Sequence, residues 1–220
     1  MTVGEAILEL RETLTKNNIH DNTGYDNIRS VRLLNKAQNL VVEYLLDKRN
    51  EDDGIRLIEQ LLNTVDLKPS KTDSLFVNFN LPTDFFDFEN LIIVGEKGKC
   101  KATDFIVFEE KAANIHLISN DENLKPSFEF RETSYIIGDN KIKILTSDFE
   151  IPKITLIYYR KPRLISIEGY EDVNGNPTSN VNPEFNDRLL YKIIDVAAML
   201  ADSNTGNLNK IQVYLQRIRE

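Results

Sequence analysis

The sequence is poor in the residues that most often carry chemistry. Its 220 residues include one cysteine, Cys100, and two histidines, His20 and His116. A lone cysteine excludes an internal disulfide and fits a reducing compartment. Neither histidine has a metal-ligand partner four residues on, so each reads as a surface or core side chain. No G-x-S-x-G elbow occurs, and Cys100 has no histidine or helical context to activate it. Gly95-Glu96-Lys97-Gly98-Lys99 lacks the spacing and the Lys-Ser/Thr ending of a phosphate loop. It reads as a lysine-rich turn between strands. The acidic pairs Asp52–Asp53 and Glu109–Glu110 read as solvated faces or helix-start charges rather than a two-carboxylate site. Neither an enzyme nor a cofactor is expected.

Basic excess is lacking too. Lys and Arg number 27 against 35 Asp and Glu, a formal charge of −8. That balance argues against a general nucleic-acid binder, whose phosphate contacts need a basic face. It is compatible with a wall that DNA passes, because acidic side chains repel the backbone instead of holding it. The opening MTVGEAILELRE is charged and amphipathic, with no run suited to a signal peptide or membrane span. A cytoplasmic protein without membrane contact is the expectation. What is present is ordinary globular composition, 41% hydrophobic and 28% charged, in a chain long enough to bury a sizeable core.

The first part, residues 1–68, reads as helical. Thr2 can cap a short helix with Glu5 at the capping-box position and Ile7, Leu8 and Leu10 on its apolar side. The polar stretch from Thr15 to Asp26 reads as a loop. A long helix over about Asn27 to Lys48 follows, with Val31, Leu34, Ala37, Val41 and Tyr44 or Leu45 spaced by three and four. Leu33 and Leu40 widen that stripe. Ile55, Ile58, Leu61 and Leu62 predict a third helix over Asp52 to Val65.

Pro69 and Ser70–Ser74 mark a boundary, and residues 69–168 read as a β-rich lobe. Leu75, Val77, Phe79 and Leu81 alternate with Phe76, Asn78 and Asn80 as a strand with one inward face, which Pro82 ends. Leu91–Val94 is a second short strand. Asp104–Leu117 reads as a helical insertion with Phe105, Phe108, Ala112 and Ile115 in register; the alternative is a strand through Phe105–Phe108 and then a turn. Phe128 and Phe130 alternate with Glu129 and Arg131 as a half-buried strand would. Tyr135–Ile137 and Lys141–Leu145 flank Gly138-Asp139-Asn140, a three-residue hairpin signal.

Ile154–Arg160 organises this lobe. Ile154, Leu156 and Tyr158 share one face, and Thr155, Ile157 and Tyr159 the other. Neither face is solvent-like, so the strand is expected to be central and covered on both sides. Pro162 ends it, leaving Arg160, Lys161 and Arg163 at its edge, with a short extension through Leu164–Ile167. The basic trio reads either as a strand end whose cations reach water or as a patch meeting an acidic partner surface or a DNA backbone. Residues 169–182 read as a long loop, rich in asparagine, either disordered or a contact surface, with Tyr170, Asn174 and Asn176 as its interface candidates.

Residues 183–220 return to helix. Asn182 or Pro183 starts a helix over Glu184 to Ala201, with Phe185, Leu189, Ile193 and Leu200 in a stripe. Ala197, Ala198 and Ala201 leave room for a neighbouring helix. Leu208, Ile211, Leu215 and Ile218 predict a closing amphipathic helix that lies on its own core or on another subunit. The fold class is thus α+β: a helical bundle built from N- and C-terminal helices, with a central β-rich lobe.

Four stretches carry a resemblance: SVRLLNKAQNLVVEYLL (Ser30–Leu46), NFNLPTDFFDF (Asn78–Phe88), ITLIYYRKPRLISIEGY (Ile154–Tyr170) and NPEFNDRLLYKIIDVAAMLA (Asn182–Ala201). In order and spacing they resemble the head–tail adaptor (connector, or neck ring) proteins of short-tailed bacteriophages, in particular the ring proteins of crAss-like phages. The resemblance implies a virion structural protein forming a homo-oligomeric ring, commonly of twelve subunits. It also implies that the ring sits in the neck below the portal protein, docks an adjacent tail or ring protein, and continues a channel through which DNA passes as cargo. The competing expectations are a non-ring scaffolding or chaperone-like binding module, and a nuclease whose carboxylates the motifs do not reveal.

Overall fold

The fold is that of a computed structural model describing residues 1–16, 26–49, 53–73, 75–114, 118, 121, 124–171 and 175–202. The chain is α+β, with helices and two sheets, one of them curled into a half-barrel. It divides into two compact units, Met1–Leu61 with Pro162–Glu220, and Leu62–Lys161. The first break thus falls earlier than Pro69, and the second falls before Leu164–Ile167.

In the helical unit, α1 (Val3–Lys16) begins with the reciprocal cap its sequence encodes. Thr2 N–H donates to Glu5 at 2.7 Å, and Glu5 N–H donates to Thr2 Oγ1 at 3.3 Å. Ile7 and Leu10 are buried, but Leu8 is exposed, and Ala6 and Leu14 complete the inner face instead. Helix α1 reaches into the expected polar loop, of which residues 17–25 lie outside the described residues. Helix α2 (Asn27–Asp47) starts at Asp26, whose side chain accepts from Arg29 N–H. Its stripe of Val31, Leu34, Ala37, Val41 and Leu45 is buried as the spacing predicts.

The expected third helix is shorter and tighter. Asp53–Leu61 is a 3-10 helix. Ile55, Ile58 and Leu61 recur every three residues, which matches the three-residue turn of that helix. Leu62–Val65 belongs to a strand instead. Helix α3 (Asp187–Asp202) packs against both α1 and α2. It begins later than the Asn182–Pro183 signal predicts, because Asn186 caps it by accepting from Leu189 N–H at 2.9 Å. Asn182 caps a different helix, accepting from Val3 N–H at 2.9 Å. Ala197, Ala198 and Ala201 are buried in α3. The predicted closing helix, with Leu208, Ile211, Leu215 and Ile218, lies outside the described residues.

The second unit is a pair of sheets sharing one apolar core. Its strands are β1 (Leu62–Leu67), β2 (Lys71–Thr72), β3 (Phe76–Asn80), β4 (Phe85–Lys97), β5 (Cys100–Ala102), β6 (Ile106–Glu109), β7 (Glu132–Gly138), β8 (Lys141–Leu145) and β9 (Glu150–Arg160). The orders are β1-β9-β4-β5 and β2-β3-β8-β7-β6. Strand β9 is therefore internal, paired antiparallel to β1 and β4. Ile154, Leu156 and Tyr158 are buried in the shared core with Val77, Phe79, Ile93 and Ile142. The opposite face is only half covered at Thr155 and Ile157.

Several mid-chain expectations change. Strand β4 is much longer than Leu91–Val94. Phe85, Phe88 and Leu91 are three apart, a spacing that a regular pleat would send to opposite faces. Irregularities between Phe85 and Asp87 and between Phe88 and Asn90 restore the phase, so these residues meet the core. Leu75 is exposed and Asn78 buried, the latter held by bonds from its amide to Lys71 O and Asp73 Oδ2, both at 3.2 Å.

Of the helix expected over Asp104–Leu117, the described residues 104–114 form none of the α-helix, and 115–117 lie outside the described residues. Ile106–Glu109 is a strand parallel to β7, and Ala112–Asn114 is a 3-10 turn. Period two decides it: Phe105 and Val107 pack on the core while Ile106 and Phe108 are exposed. Phe128–Arg131 is a turn rather than a strand, closed by reciprocal backbone bonds between Ser127 and Glu132. Asp139 and Asn140 both hold positive φ, 52° and 57°, and Gly138 pairs with Lys141. The hairpin loop is thus two residues long.

Candidate interface

The basic trio is divided by the fold. Arg160 and Lys161 end the sandwich unit, while Arg163 belongs to the helical unit. Lys161 N–H donates to Asp84 O at 2.7 Å, leaving its side chain exposed. The Arg160 guanidinium donates to Lys161 O at 3.2 Å. Arg163 is exposed, with its guanidinium 3.9 Å from Glu184.

Side chains from α2 grip the segment after Pro162. Asn35 acts on Ile165 as a neighbouring strand would. Its Oδ1 accepts from Ile165 N–H at 2.8 Å and its Nδ2 donates to Ile165 O at 2.9 Å. Gln38 Nε2 donates to Arg163 O at 2.9 Å, and Glu184 accepts from Arg163 N–H at 2.7 Å. Both backbone groups are therefore fixed on each side of Leu164. The side chain of Leu164 itself is 67% exposed. The expected strand extension through Leu164–Ile167 is replaced by this clamp and a single bridge from Ser166 to Val181. The spacing Asn35-x-x-Gln38 on a helix is the signal that sequence reading passed over.

The expected open loop is cross-braced. Ser166 pairs with Val181, and Glu171 with Pro177. Thr178 N–H donates to Tyr170 O at 2.7 Å, and its hydroxyl reaches Ile167 O at 2.5 Å. Gly169 and Gly175 turn the chain at φ 88° and 79°, where a side chain would be strained. Tyr170 is half-buried and Asn176 exposed on this braced loop; Asn174 lies outside the described residues.

The sandwich carries its own apolar surface at β6. Ile106, Phe108, Leu124 and Phe130 are 56%, 49%, 55% and 77% exposed. Ile106 N–H donates to Arg131 O, which sets Phe130's turn beside β6. Phe108, Ile118, Leu124 and Pro126 line a cleft of about 330 Å³ with Glu110, Lys125 and Glu132. A second, more polar hollow beside the β4–β5 turn holds Lys97 against Asp148. That contact raises the Lys97 pKa and lowers that of Asp148. The glycines flanking this turn serve packing and turning: Gly98 has φ 60°, and a Cβ on Gly95 would lie 2.6 Å from the Phe105 ring.

Among the described residues, no group of three or more His, Cys, Asp or Glu side chains converges as metal ligands would. Both histidines and Asp52 lie outside them, and Cys100 is exposed on β5. Among the described residues no helix is long and apolar enough to cross a membrane. No protein-family model and no curated protein matches the chain.

Proposed function

We propose that this chain is a non-enzymatic virion structural protein, a head–tail adaptor. It assembles as a ring, commonly of twelve copies, in the neck beneath the portal protein after synthesis in the host cytoplasm. The ring continues the DNA channel and docks the adjacent tail or ring protein. In this reading the helices from both ends of the chain form one bundle, and the sandwich is the β-rich lobe that lies between them in sequence.

The observation that carries the reading is the uncovered apolar surface around β6. Four large apolar side chains, each about half exposed or more, lie together at the β6 edge of the sandwich, while its other exposed large apolar residues, Leu62, Leu75 and Ile92, are 41–45% exposed on other strands. Large apolar side chains grouped at an exposed edge are the kind of surface that another protein covers. The strap around Leu164 is a second presented surface, different in character, as a head-to-tail ring contact requires. The charge of −8 suits a channel that lets DNA slide without gripping it.

Negative-stain microscopy of the purified chain mixed with a portal ring tests this. Rings seated on the portal are the expected result. Portals that stay bare beside a monomeric chain would contradict it. Single copies bound without ring closure would point to the scaffolding module instead.

A further inference from the structure

The two presented surfaces are complementary to each other. One is a cleft: apolar walls from Phe108, Leu124 and Pro126, with Glu110 and Glu132 on its lining against the single lysine Lys125. The other is a knob: Leu164, 67% exposed, in a stretch whose preceding residues Lys161 and Arg163 are exposed cations. Leucine fits an apolar cleft of about 330 Å³ with room to spare. The cations that precede Leu164 are opposite in sign to the cleft's carboxylates, Arg163 with its guanidinium also 3.9 Å from Glu184 of its own chain, and opposite charge beside an apolar anchor sets both orientation and partner choice.

The knob is also held ready. Arg163 and Ile165 have their backbone N–H and C=O groups occupied by Glu184, Gln38 and Asn35, within 2.7–2.9 Å. A segment already ordered loses little conformational freedom on docking, so more of the contact energy appears as affinity. An accidental exposed leucine in a mobile loop would have no such support.

We propose that Leu164 of one copy inserts into the cleft beside β6 of a second copy of this chain, with Lys161 and Arg163 facing Glu132 and Glu110. The contact is heterologous: knob and cleft are different surfaces, so each copy offers one and receives the other. It rests on the reading of the chain as a self-assembling ring protein and supplies that ring's subunit contact.

Two variants of the 220-residue chain test it, both carrying Cys100→Ser. One adds Leu164→Cys and the other Leu124→Cys; both positions are exposed, so folding should tolerate the change. Mixed under mild oxidation, they should form the mixed disulfide several-fold faster than Leu164→Cys paired with Leu8→Cys, a control at another exposed leucine. Adding Glu132→Lys to the cleft variant should reduce the rate towards control, and Lys161→Glu on the knob variant should restore it. A rate equal to control, or one indifferent to Glu132→Lys, overturns the contact. If the chain forms rings on a portal without the cross-link, this contact fails while the adaptor reading stands. If it cross-links in solution yet ignores a portal, the adaptor reading fails while the contact stands.

Discussion

Strand β9 and the segment that follows it are consecutive in the chain but held by different forces. Ile154, Leu156 and Tyr158 of β9 are fixed by burial against two sheets. Arg163 and Ile165 are fixed by amide and carboxylate side chains that bond to their backbone. Burial is non-directional; one core leucine contributes about 1.5–3 kcal/mol whatever its neighbours' register. Each polar clamp contributes only about 0.5–1.5 kcal/mol net but fixes one backbone position. The comparison teaches that apolar packing builds the lobe, whereas polar clamping can order a segment and still leave its side chains facing outward. That is how Leu164 stays exposed one residue from the buried Ile165.

The largest expected effect lies on the buried side of this comparison. Leu156→Ala should lower stability by about 2–5 kcal/mol, as a core truncation that leaves a cavity. Denaturant unfolding of the sandwich measures it, and a loss below about 1 kcal/mol would mean the core is looser than its burial implies. Gly95→Ala comes next, at about 1–3 kcal/mol, because its Cβ would meet the Phe105 ring. That ring stacks on Phe149, with centroids 5.2 Å apart, so it cannot swing away freely. Combining Gly95→Ala with Phe105→Leu should recover part of the loss; no recovery would place the strain elsewhere.

Asn35→Ala sharpens the other side. It removes both bonds to Ile165, for an expected loss of about 1–3 kcal/mol. Hydrogen exchange should quicken at the Ile165 amide while β9 amides keep their protection. Equal loss in both places would erase the distinction between clamp and core.

The smallest effect concerns acid. Asp66 is held below the ordinary carboxylate range by bonds from Lys153 and Thr155, Asp104 by Arg131, and Asp148 by Lys97. Each folded-state pKa lies below its unfolded value, so the stability these groups add is present above about pH 4 and lost as pH falls through the lowered values. All three belong to the sandwich, whereas the Asn35 and Gln38 amides do not titrate. Thermal melts from neutral to acid pH should therefore show a modest, salt-sensitive decline. A decline on raising the pH from 4 to 7 instead would contradict the sign.

Much of the fold was legible where one periodicity acted alone. The stripe of α2, the Thr2–Glu5 cap and the two-faced run of β9 follow from spacing and side-chain chemistry. Reading failed where two periods fitted the same letters. Phe105, Phe108 and Ala112 satisfy a helix, but pairing with β7 selects the extended form, a choice no local window contains. In β4, bulges let Phe85, Phe88 and Leu91 share a face at spacing three, which hides a long strand. Of the candidate interface, Arg160, Lys161 and Arg163 were visible as a basic run. Leu164 was not, because its exposure depends on Asn35, Gln38 and Glu184, all distant in sequence. The cleft beside β6 was hidden by the same strand-for-helix exchange.

The central claim is that this polypeptide completes its surface with copies of itself on a portal. Sedimentation of the chain alone and with a portal ring tests that directly. The account predicts a complex whose added mass corresponds to a closed ring of subunits, about one per portal subunit, with little free monomer when the chain is not in excess. Unchanged sedimentation of both components, at concentrations well above those used for assembly, would contradict it.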